Sequence, residues 1–368
     1  MTPVSAEGLT KVFGPQPAQA LRRLREGTDP EQLRSEGHTP AVLDASFTVR
    51  SGETFVVMGL SGSGKSTLIR MLNGLLAPTA GSISVDGSDI TGMGPKDLRA
   101  MRQRTMSMVF QHFALLPHRT VLDNVGYGLH VRGATREQVR READEALGLV
   151  GLDGWQDQYP QQLSGGMRQR VGLARALATG TDVLLMDEAF SALDPLIKRE
   201  MQDQLLQLQA RLGKTIVFIT HDLNEAMRLG DRIAVMRAGR IVRTGTAEQI
   251  LNDPGDDYVR EFVSDVDRSR VLTAGSVAVP ATGGPRGRPV PGETPLKELF
   301  TRFSGGVEVL PVVDGADREL GVVTPAVLLD ALGRAPGTND PGSNGPGSNG
   351  PGTTGPGTND PQPAETRG

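Results

Sequence analysis

The chain has 368 residues, a formal net charge of −4 and no cysteine. This length exceeds the usual size of one domain, and the slight acidity argues against a surface that coats nucleic acid. The absence of cysteine excludes disulfides and thiolate metal sites, and the five histidines show no paired ligand spacing, so no structural metal is expected. The N-terminus lacks the pattern of a signal peptide, and no stretch reaches the ~20 apolar residues that span a bilayer. We therefore expect a soluble, cytoplasmic chain.

Short apolar runs bounded by turn residues predict the strands of a sheet. They lie at 55–58, 183–186, 216–219 and 233–236. Continuous rather than alternating apolarity indicates strands that are covered on both faces, as in a parallel α/β sheet. Residues 96–180 contain no comparable run after Phe110, and we expect a mostly helical lobe there. Thr135 and Gln138 in this lobe have the spacing of a capping box.

Two features precede the first glycine-rich loop. Residues 15–40 contain Leu21, Leu24 and several arginines, which predicts a short charged helix, and a solvated surface helix is the favoured interpretation. Phe13 could stack on an adenine base if the following loop binds a nucleotide. An ordinary core phenylalanine is the alternative.

A glycine-rich loop follows the predicted strand at 55–58 and precedes an apolar helix predicted at 67–76. It is predicted to bind ATP through Gly59, Leu60, Ser61, Gly62, Ser63, Gly64, Lys65, Ser66 and Thr67. The order of strand, loop and helix predicts a P-loop, in which backbone N–H groups and the helix N-terminus bind phosphate oxygens. Lys65 would neutralise the β- and γ-phosphates, and the Ser66 hydroxyl would bind Mg²⁺.

Polar side chains follow several of the other predicted strands. Asp187 and Glu188 end the strand at 183–186, where Asp187 would hold Mg²⁺ and Glu188 would polarise the attacking water as a general base. His221 follows the strand at 216–219 and could contact the γ-phosphate at the same sheet edge. Gln111 follows the short run at 108–110 and could bind Mg²⁺ or the attacking water. These residues are the predicted catalytic and metal-binding groups.

A second loop of small residues lies far from the P-loop in the sequence. It consists of Leu163, Ser164, Gly165, Gly166 and Met167 and precedes a helical sequence. Such a loop can bind an anion, although an ordinary capped helix start is the alternative. Because one nucleotide site needs only one P-loop, we expect this loop to close over ATP held by another copy of the chain. The sequence therefore predicts a homodimer.

The C-terminal part, from about residue 271, has a different amino-acid composition. A Gly/Pro-rich stretch at 280–295 precedes a small α/β pattern at 296–333. Pentads that begin with Pro-Gly then run from Pro336 to Asp360. Their composition cannot form a core, so residues 334–368 are predicted to be a disordered tail.

The ordered set of motifs resembles the ATP-binding-cassette (ABC) ATPase family over about residues 5–265. The resemblance implies an α/β P-loop ATPase domain at 1–265, with a helical subdomain at about 96–180 and an extra insertion at 15–40. It also implies that two copies hold two ATP molecules, each between the P-loop of one copy and the signature loop at 163–167 of the other. Asp194, in the loop at 191–194, would join the two sites, and Gln111 would link the γ-phosphate to a transmembrane partner.

Residues 110–124 and 186–195 resemble the quaternary-amine subfamily, the glycine betaine/L-proline importer ATPases. This resemblance implies ATP hydrolysis that powers uptake of glycine betaine, proline or choline. The implied partners are an integral membrane permease and a substrate-binding protein, with the chain peripheral on the cytoplasmic face of the membrane and no nucleic acid bound. Residues 266–333 are similar to a single degenerate CBS motif, in which 310–329 match the second half and Gly/Pro residues degrade the first.

Two other functions are weighed against this one. An importer ATPase for another solute, such as an amino acid or a polyamine, is disfavoured by the insertion and the CBS-like region. A cassette ATPase that acts on ribosomes or DNA would generally carry two cassettes or a long coiled coil, and the sequence has neither.

Overall fold

The computed structural model describes residues 4–111, 114–280, 286–303 and 306–333. The predicted disordered tail at 334–368 lies outside the described residues, as do 112–113 of the subfamily stretch and 281–285 of the Gly/Pro-rich stretch. The strands are β1 (Val4–Phe13), β2 (Thr39–Val49), β3 (Thr54–Met58), β4 (Ala80–Val85), β5 (Ser88–Asp89), β6 (Met106–Val109), β7 (Val183–Asp187), β8 (Thr215–Thr220), β9 (Arg232–Arg237), β10 (Arg240–Gly245), β11 (Val290–Pro291), β12 (Leu310–Val313) and β13 (Glu319–Val323).

The helices connect these strands and form a separate lobe between β6 and β7. They are α1 (Pro17–Arg25), α2 (Pro30–Ser35), α3 (Lys65–Leu72), α4 (Pro95–Thr105), α5 (Val121–Val125), α6 (Tyr127–Val131), α7 (Arg136–Leu149), α8 (Gly165–Ala178), α9 (Pro195–Leu212), α10 (Leu223–Leu229), α11 (Ala247–Asn252), α12 (Asp257–Phe262), α13 (Arg268–Val271), α14 (Ala274–Val277), α15 (Leu296–Arg302) and α16 (Pro325–Gly333). Within the described ranges, no helix combines the length and the apolarity needed to cross a membrane.

A six-stranded sheet in the order β10-β9-β3-β8-β7-β6 forms the centre of the fold. All its neighbouring pairs are parallel except β9 with the edge strand β10. Val56 and Met58 of β3 pack in one buried cluster, whereas Phe55 and Val57 pack in another. Alternate side chains of a strand point to opposite faces, so both faces of this sheet are covered. The four predicted apolar runs and the expected parallel α/β sheet are confirmed.

A second, antiparallel sheet in the order β2-β1-β4-β5 covers one side of the central sheet. Phe47 of β2 stacks on Phe55 of β3 with ring centroids 5.1 Å apart. This contact packs the end of β2 on the start of β3.

The insertion between β1 and β2 differs from the predicted single solvated helix. It forms two helices, α1 and α2, because Gly27 has a φ of 93° and Asp29 starts a new helix by accepting a hydrogen bond from the Glu31 N–H at 2.8 Å. Ala20 and Leu33 pack against Val12 of β1 in a small buried cluster. The insertion is therefore two largely exposed surface helices, each packed on the sheet through one buried residue, and not the single helix that was predicted.

The helical lobe contains α5 to α8. Its α7 begins with a capping box in which the Gln138 N–H donates to Thr135 Oγ1 at 3.3 Å and the Thr135 N–H donates to Gln138 Oε1 at 3.0 Å. The predicted capping box is confirmed. Val139, Ala143 and Leu147 face the shared core, and α8 contacts both α7 and β6. This packing places the start of α8 at a defined position relative to the central sheet.

The C-terminal part contains a three-stranded sheet in the order β11-β12-β13. Val290 of β11 pairs in parallel with Val312 of β12, and β12 pairs antiparallel with β13. The predicted α/β pattern at 296–333 is confirmed. In addition, the strand β11 and the helix α15 precede β12. They lie in the first half of the CBS-like motif, which the sequence predicts to be degraded by Gly and Pro. Gly and Pro in this half shorten β11 to two residues without removing the strand.

Candidate nucleotide site

The loop after β3 has the form of a P-loop. Its final glycine, Gly64, has a φ of 102°, and a Cβ there would lie 2.2 Å from the Ala41 carbonyl oxygen of β2, so only glycine fits. The helix α3 begins at Lys65, two residues earlier than predicted, and it ends at Leu72 rather than continuing to 76. Of the predicted ATP-binding residues, the buried ones are Gly59, Ser63 and Lys65, the half-buried ones are Gly64, Ser66 and Thr67, and the exposed ones are Leu60, Ser61 and Gly62.

Lys65 lies at the inner rim of this loop. Its Nζ donates hydrogen bonds to the carbonyl oxygens of Gly59 at 2.8 Å and Leu60 at 3.0 Å. Burial lowers the pKa of Lys65, and the nearby carboxylates of Glu188 and Asp187 act in the opposite direction. Ser63 Oγ is buried and has no hydrogen-bond partner among the described residues. The loop thus presents a buried cation and an unpaired hydroxyl to an incoming anion.

Ser66 and Asp187 come together where α3 starts and β7 ends. The Ser66 hydroxyl donates to Asp187 Oδ1 at 3.0 Å, and Asp187 is only 4% exposed. Burial raises the pKa of Asp187, which the hydrogen bond from Ser66 partly offsets. A hydroxyl and a carboxylate oxygen are the donors that Mg²⁺ prefers, and a bound cation would compensate the buried charge. The residues present therefore fit a magnesium ion.

Glu188 is the centre of the polar contacts at this sheet edge. Its Oε2 lies 3.1 Å from His221 Nδ1 and accepts a hydrogen bond from Gln111 Nε2 at 3.3 Å. Its Oε1 lies 4.0 Å from Lys65 Nζ. The Glu188 backbone has a φ of 45°, and its N–H donates to the Ile219 carbonyl oxygen at 3.0 Å. The structure thus brings all three predicted catalytic residues together, beside the P-loop.

Ser191 adds a contact that the sequence did not assign to this cluster. Its hydroxyl donates to the Glu188 carbonyl oxygen at 2.9 Å, and Gln111 Nε2 donates to Ser191 Oγ at 3.4 Å. Only its position three residues after Glu188 could have suggested this role. The hydroxyl holds the turn after β7 and the Gln111 side chain in one network.

The second small-residue loop starts α8 as an N-capped helix. Ser164 Oγ accepts from the Met167 N–H at 3.3 Å, and Ser164 is exposed whereas Leu163 is buried. A Cβ on Gly166 would lie 2.5 Å from Ile197 Cγ2, so this glycine permits close contact between α8 and α9. Nothing lies within 4 Å of a Cβ built on Gly165. Within the described ranges, no hydrogen bond or ion pair joins 163–167 to the P-loop of the same chain.

Asp194 lies at the start of α9, next to this loop. Its Oδ1 accepts hydrogen bonds from the Leu196 and Ile197 N–H groups, both at 3.2 Å. The same Ile197 contacts the Gly166 position. Ile197 therefore brings the start of α9 next to the start of α8.

Phe13 is the last residue of β1 and pairs with Thr39 of β2. Thr39 stands two residues before Ala41, whose carbonyl oxygen packs on Gly64 of the P-loop. Its ring is 39% exposed, and Lys11 Nζ lies 5.2 Å from the ring centroid. Phe13 is therefore not a core phenylalanine, and that alternative is wrong. The ring is accessible beside the P-loop.

Comparisons with known proteins agree with this geometry. A family model described as "ABC transporter" matches residues 42–191. The glycine betaine/proline betaine transport system ATP-binding protein ProV of Salmonella typhimurium is 48% identical over 335 residues, which cover 91% of this chain and 84% of ProV. The chain belongs to the ABC transporter ATP-binding proteins.

Other members of this family are also similar. The glycine betaine transport ATP-binding protein OpuAA of Bacillus subtilis is 56% identical over 275 residues, which cover 74% of this chain and 66% of OpuAA. A solved ABC cassette, a post-hydrolysis dimer bound to ADP and Pi, matches 66% of this chain and 98% of its own with a TM-score of 0.56 and 31% identity. The family assignment accounts for both the α/β cassette fold and an ATPase site of this form.

Proposed function

We propose that the chain is the ATP-hydrolysing subunit of an ABC importer for a quaternary amine or related compatible solute, such as glycine betaine, proline or choline. The observation that carries the hydrolytic part is the position of Glu188, whose carboxylate contacts His221 and Gln111 and lies 4.0 Å from Lys65 of the P-loop. The transport names of the relatives support the solute class.

The chemistry follows from the positions of these side chains. Lys65 and the N–H groups at the start of α3 would bind the β- and γ-phosphates of ATP. Ser66 and Asp187 would hold Mg²⁺, which supplies charge neutralisation at the phosphates. Glu188 would take a proton from the attacking water, while His221 and Gln111 orient the Glu188 carboxylate and the γ-phosphate. Phe13 would stack on the adenine.

The signature loop would act on a second copy of the chain. Ser164 and Gly165 are accessible at the start of α8, and no polar contact among the described residues joins this loop to its own P-loop. A homodimer would place each signature loop, with Asp194 beside it, over the ATP of the partner subunit. The dimeric state of the similar cassette supports this arrangement.

The remaining partners follow from this role. The ATPase dimer would lie on the cytoplasmic face of the membrane, bound to permease subunits that pass the solute received from a substrate-binding protein, and it would bind no nucleic acid. We assign residues 1–265 to the ATPase domain, with the helical subdomain at about 96–180 and the insertion at 15–40. Residues 266–333 form a degenerate single CBS-like region in this proposal, and its apolar side chains belong to the same buried cluster as those of the ATPase domain.

Uptake measurements on the assembled transporter test the proposal. The chain would be purified with its membrane permease and substrate-binding protein and reconstituted in liposomes that contain Mg²⁺-ATP. The uptake of labelled glycine betaine would be compared with that of a labelled amino acid other than proline and of a labelled polyamine. We expect ATP-dependent uptake of glycine betaine, and uptake of only the other solutes would favour the second candidate, an amino-acid or polyamine importer. Glu188→Gln is the control: it should bind ATP but hydrolyse it roughly a hundredfold or more slowly.

A further inference from the structure

A partly buried ion pair joins the two helices that start beside the proposed hydrolytic site. Helix α9 begins directly after Asp194, and α10 begins directly after Asp222, the neighbour of His221. Lys198 in the first turn of α9 donates to Asp222 Oδ2 at 2.7 Å, and its Nζ lies 3.0 Å from Glu225 Oε1. One ammonium group therefore holds two carboxylates of α10.

The acceptors of this ion pair are fixed by further contacts. Glu225 is 3% exposed and also accepts hydrogen bonds from the Thr220 hydroxyl and, at 3.3 Å, from Gln202 Nε2. Asp222 Oδ1 caps α10 by accepting from the Asn224 N–H at 2.8 Å. Such a network is rigid, and the loss of one partner leaves buried charge uncompensated.

The charges of the pair stabilise each other. Burial opposes the charge of Lys198, but the hydrogen bond to Asp222 and the proximity of Glu225 outweigh it and raise the pKa of Lys198. Burial likewise opposes ionisation of Asp222, but the hydrogen bond and charge of Lys198, together with the N–H groups of Asn224 and Glu225, outweigh it and lower the pKa of that carboxyl. Both groups are charged at neutral pH.

The pair connects two loops with different tasks. On one side, the residue before Asp222 is His221, whose Nδ1 lies 3.1 Å from the Glu188 carboxylate. On the other side, the Lys198 N–H donates to the Asp194 carbonyl oxygen at 2.9 Å. We propose that Lys198 is a positioning residue for ATP hydrolysis, which fixes the His221 loop to the Asp194 loop and so keeps His221 against Glu188 when the dimer surface closes. This inference rests on the proposed function.

The chain contains a matched control for this pair. Arg228 and Asp203 also join α10 to α9, but they lie on the surface, with side chains 35% and 49% exposed. Asp203→Asn would weaken a connection between the same two helices without touching Asp222 or Glu225. If the ion pairs served only to hold the two helices together, substitutions of Lys198 and of Asp203 would have similar effects on ATP hydrolysis.

Steady-state ATP hydrolysis by the full chain tests the proposal. Lys198→Met is expected to lower kcat about tenfold with KM for ATP unchanged, because the mutation alters positioning and not phosphate binding. Lys198→Arg should restore most of kcat, and Asp203→Asn should leave it at the wild-type value. Asp222→Asn keeps an N-cap acceptor but removes the charge, so it should lower kcat like Lys198→Met, and the double variant should be no slower than either single variant.

The possible results separate the two proposals. Wild-type kcat in both Lys198→Met and Asp222→Asn would overturn the positioning role, as would an equal loss in Asp203→Asn or no recovery in Lys198→Arg. If Lys198→Met does not fold, Asp222→Asn and Lys198→Arg decide the question. A wild-type chain that does not hydrolyse Mg²⁺-ATP would instead contradict the proposed function.

Discussion

At the scale of single residues, the site concentrates charge that a folded protein ordinarily avoids. Asp187 is 4% exposed, and Lys65, at the same edge, is also 4% exposed. Glu188 adds a left-handed backbone conformation that is unfavourable for a residue with a side chain. These features are understandable if a nucleotide and a cation complete the site.

If a cation normally compensates this buried charge, Asp187→Asn should stabilise the chain when nucleotide and Mg²⁺ are absent, and it should also abolish ATP hydrolysis. Burial raises the pKa of Asp187 above its ordinary 3.8, so its contribution to stability is present below pH 3.8 and is lost as the pH rises through the raised pKa. At pH 7.5 the charge is therefore a cost that asparagine removes. The Tm of Asp187→Asn, measured without Mg²⁺ or nucleotide, should rise, by about 2–4 °C for each kcal/mol gained.

The control for this measurement is Asp182→Asn, since the Asp182 side chain is 96% exposed just before the same strand. Its Tm should equal that of the wild type. A Tm of Asp187→Asn below the wild-type value would show that the ionised carboxylate stabilises the fold, contrary to the account.

Residue identities were more predictable than side-chain contacts. The order of a strand, a glycine-rich loop and a helix was sufficient to select Lys65 and Ser66. That Gln111 and Lys65 both approach Glu188 depends on how the loops after β3, β6 and β7 meet in space. Lys198 and Glu225 escaped prediction for the same reason, because their contact joins two helices.

At the scale of elements, the P-loop, the start of β2 and the end of β1 form one unit. The fit of Gly64 against Ala41 positions the α3 N-terminus, and Thr39 on the same strand pairs with Phe13. The insertion formed by α1 and α2 leaves and returns at this pair and packs on β1. Its existence could be predicted from leucines and arginines, but its division into two packed helices depends on local turn geometry at Gly27 and Asp29.

This arrangement predicts that Phe13 contributes to nucleotide affinity. Stacking of a base on an aromatic ring contributes roughly 1–3 kcal/mol, so Phe13→Ala should weaken ATP binding roughly five- to hundredfold, whereas Phe13→Trp should retain it. Calorimetric titration of the chain with ATP measures the change.

Tyr127→Ala serves as the matched substitution, because Tyr127 is a similarly exposed aromatic residue, at 42%, in the helical lobe. It should bind ATP as the wild type does. Equal affinities of Phe13→Ala and the wild type would exclude a stacking role for Phe13.

At the scale of the whole molecule, the parallel sheet was predictable because its strands are apolar on both faces. Strand order and the antiparallel second sheet were not, since they depend on pairings between segments far apart in sequence, such as β1 with β4. The completed fold leaves Ser164 and Gly165 accessible beside Asp194, and among the described residues neither makes a polar contact with the cluster around Glu188. The account therefore requires a second copy of the chain to complete each hydrolytic site.

The most direct test is the oligomeric state of Glu188→Gln, measured by analytical ultracentrifugation with and without Mg²⁺-ATP. We predict that this variant is a monomer without nucleotide and a dimer with it. For the wild-type chain, we predict that the specific rate of ATP hydrolysis increases with protein concentration. A variant that binds Mg²⁺-ATP and stays monomeric, with a wild-type specific rate independent of protein concentration, would contradict the shared site.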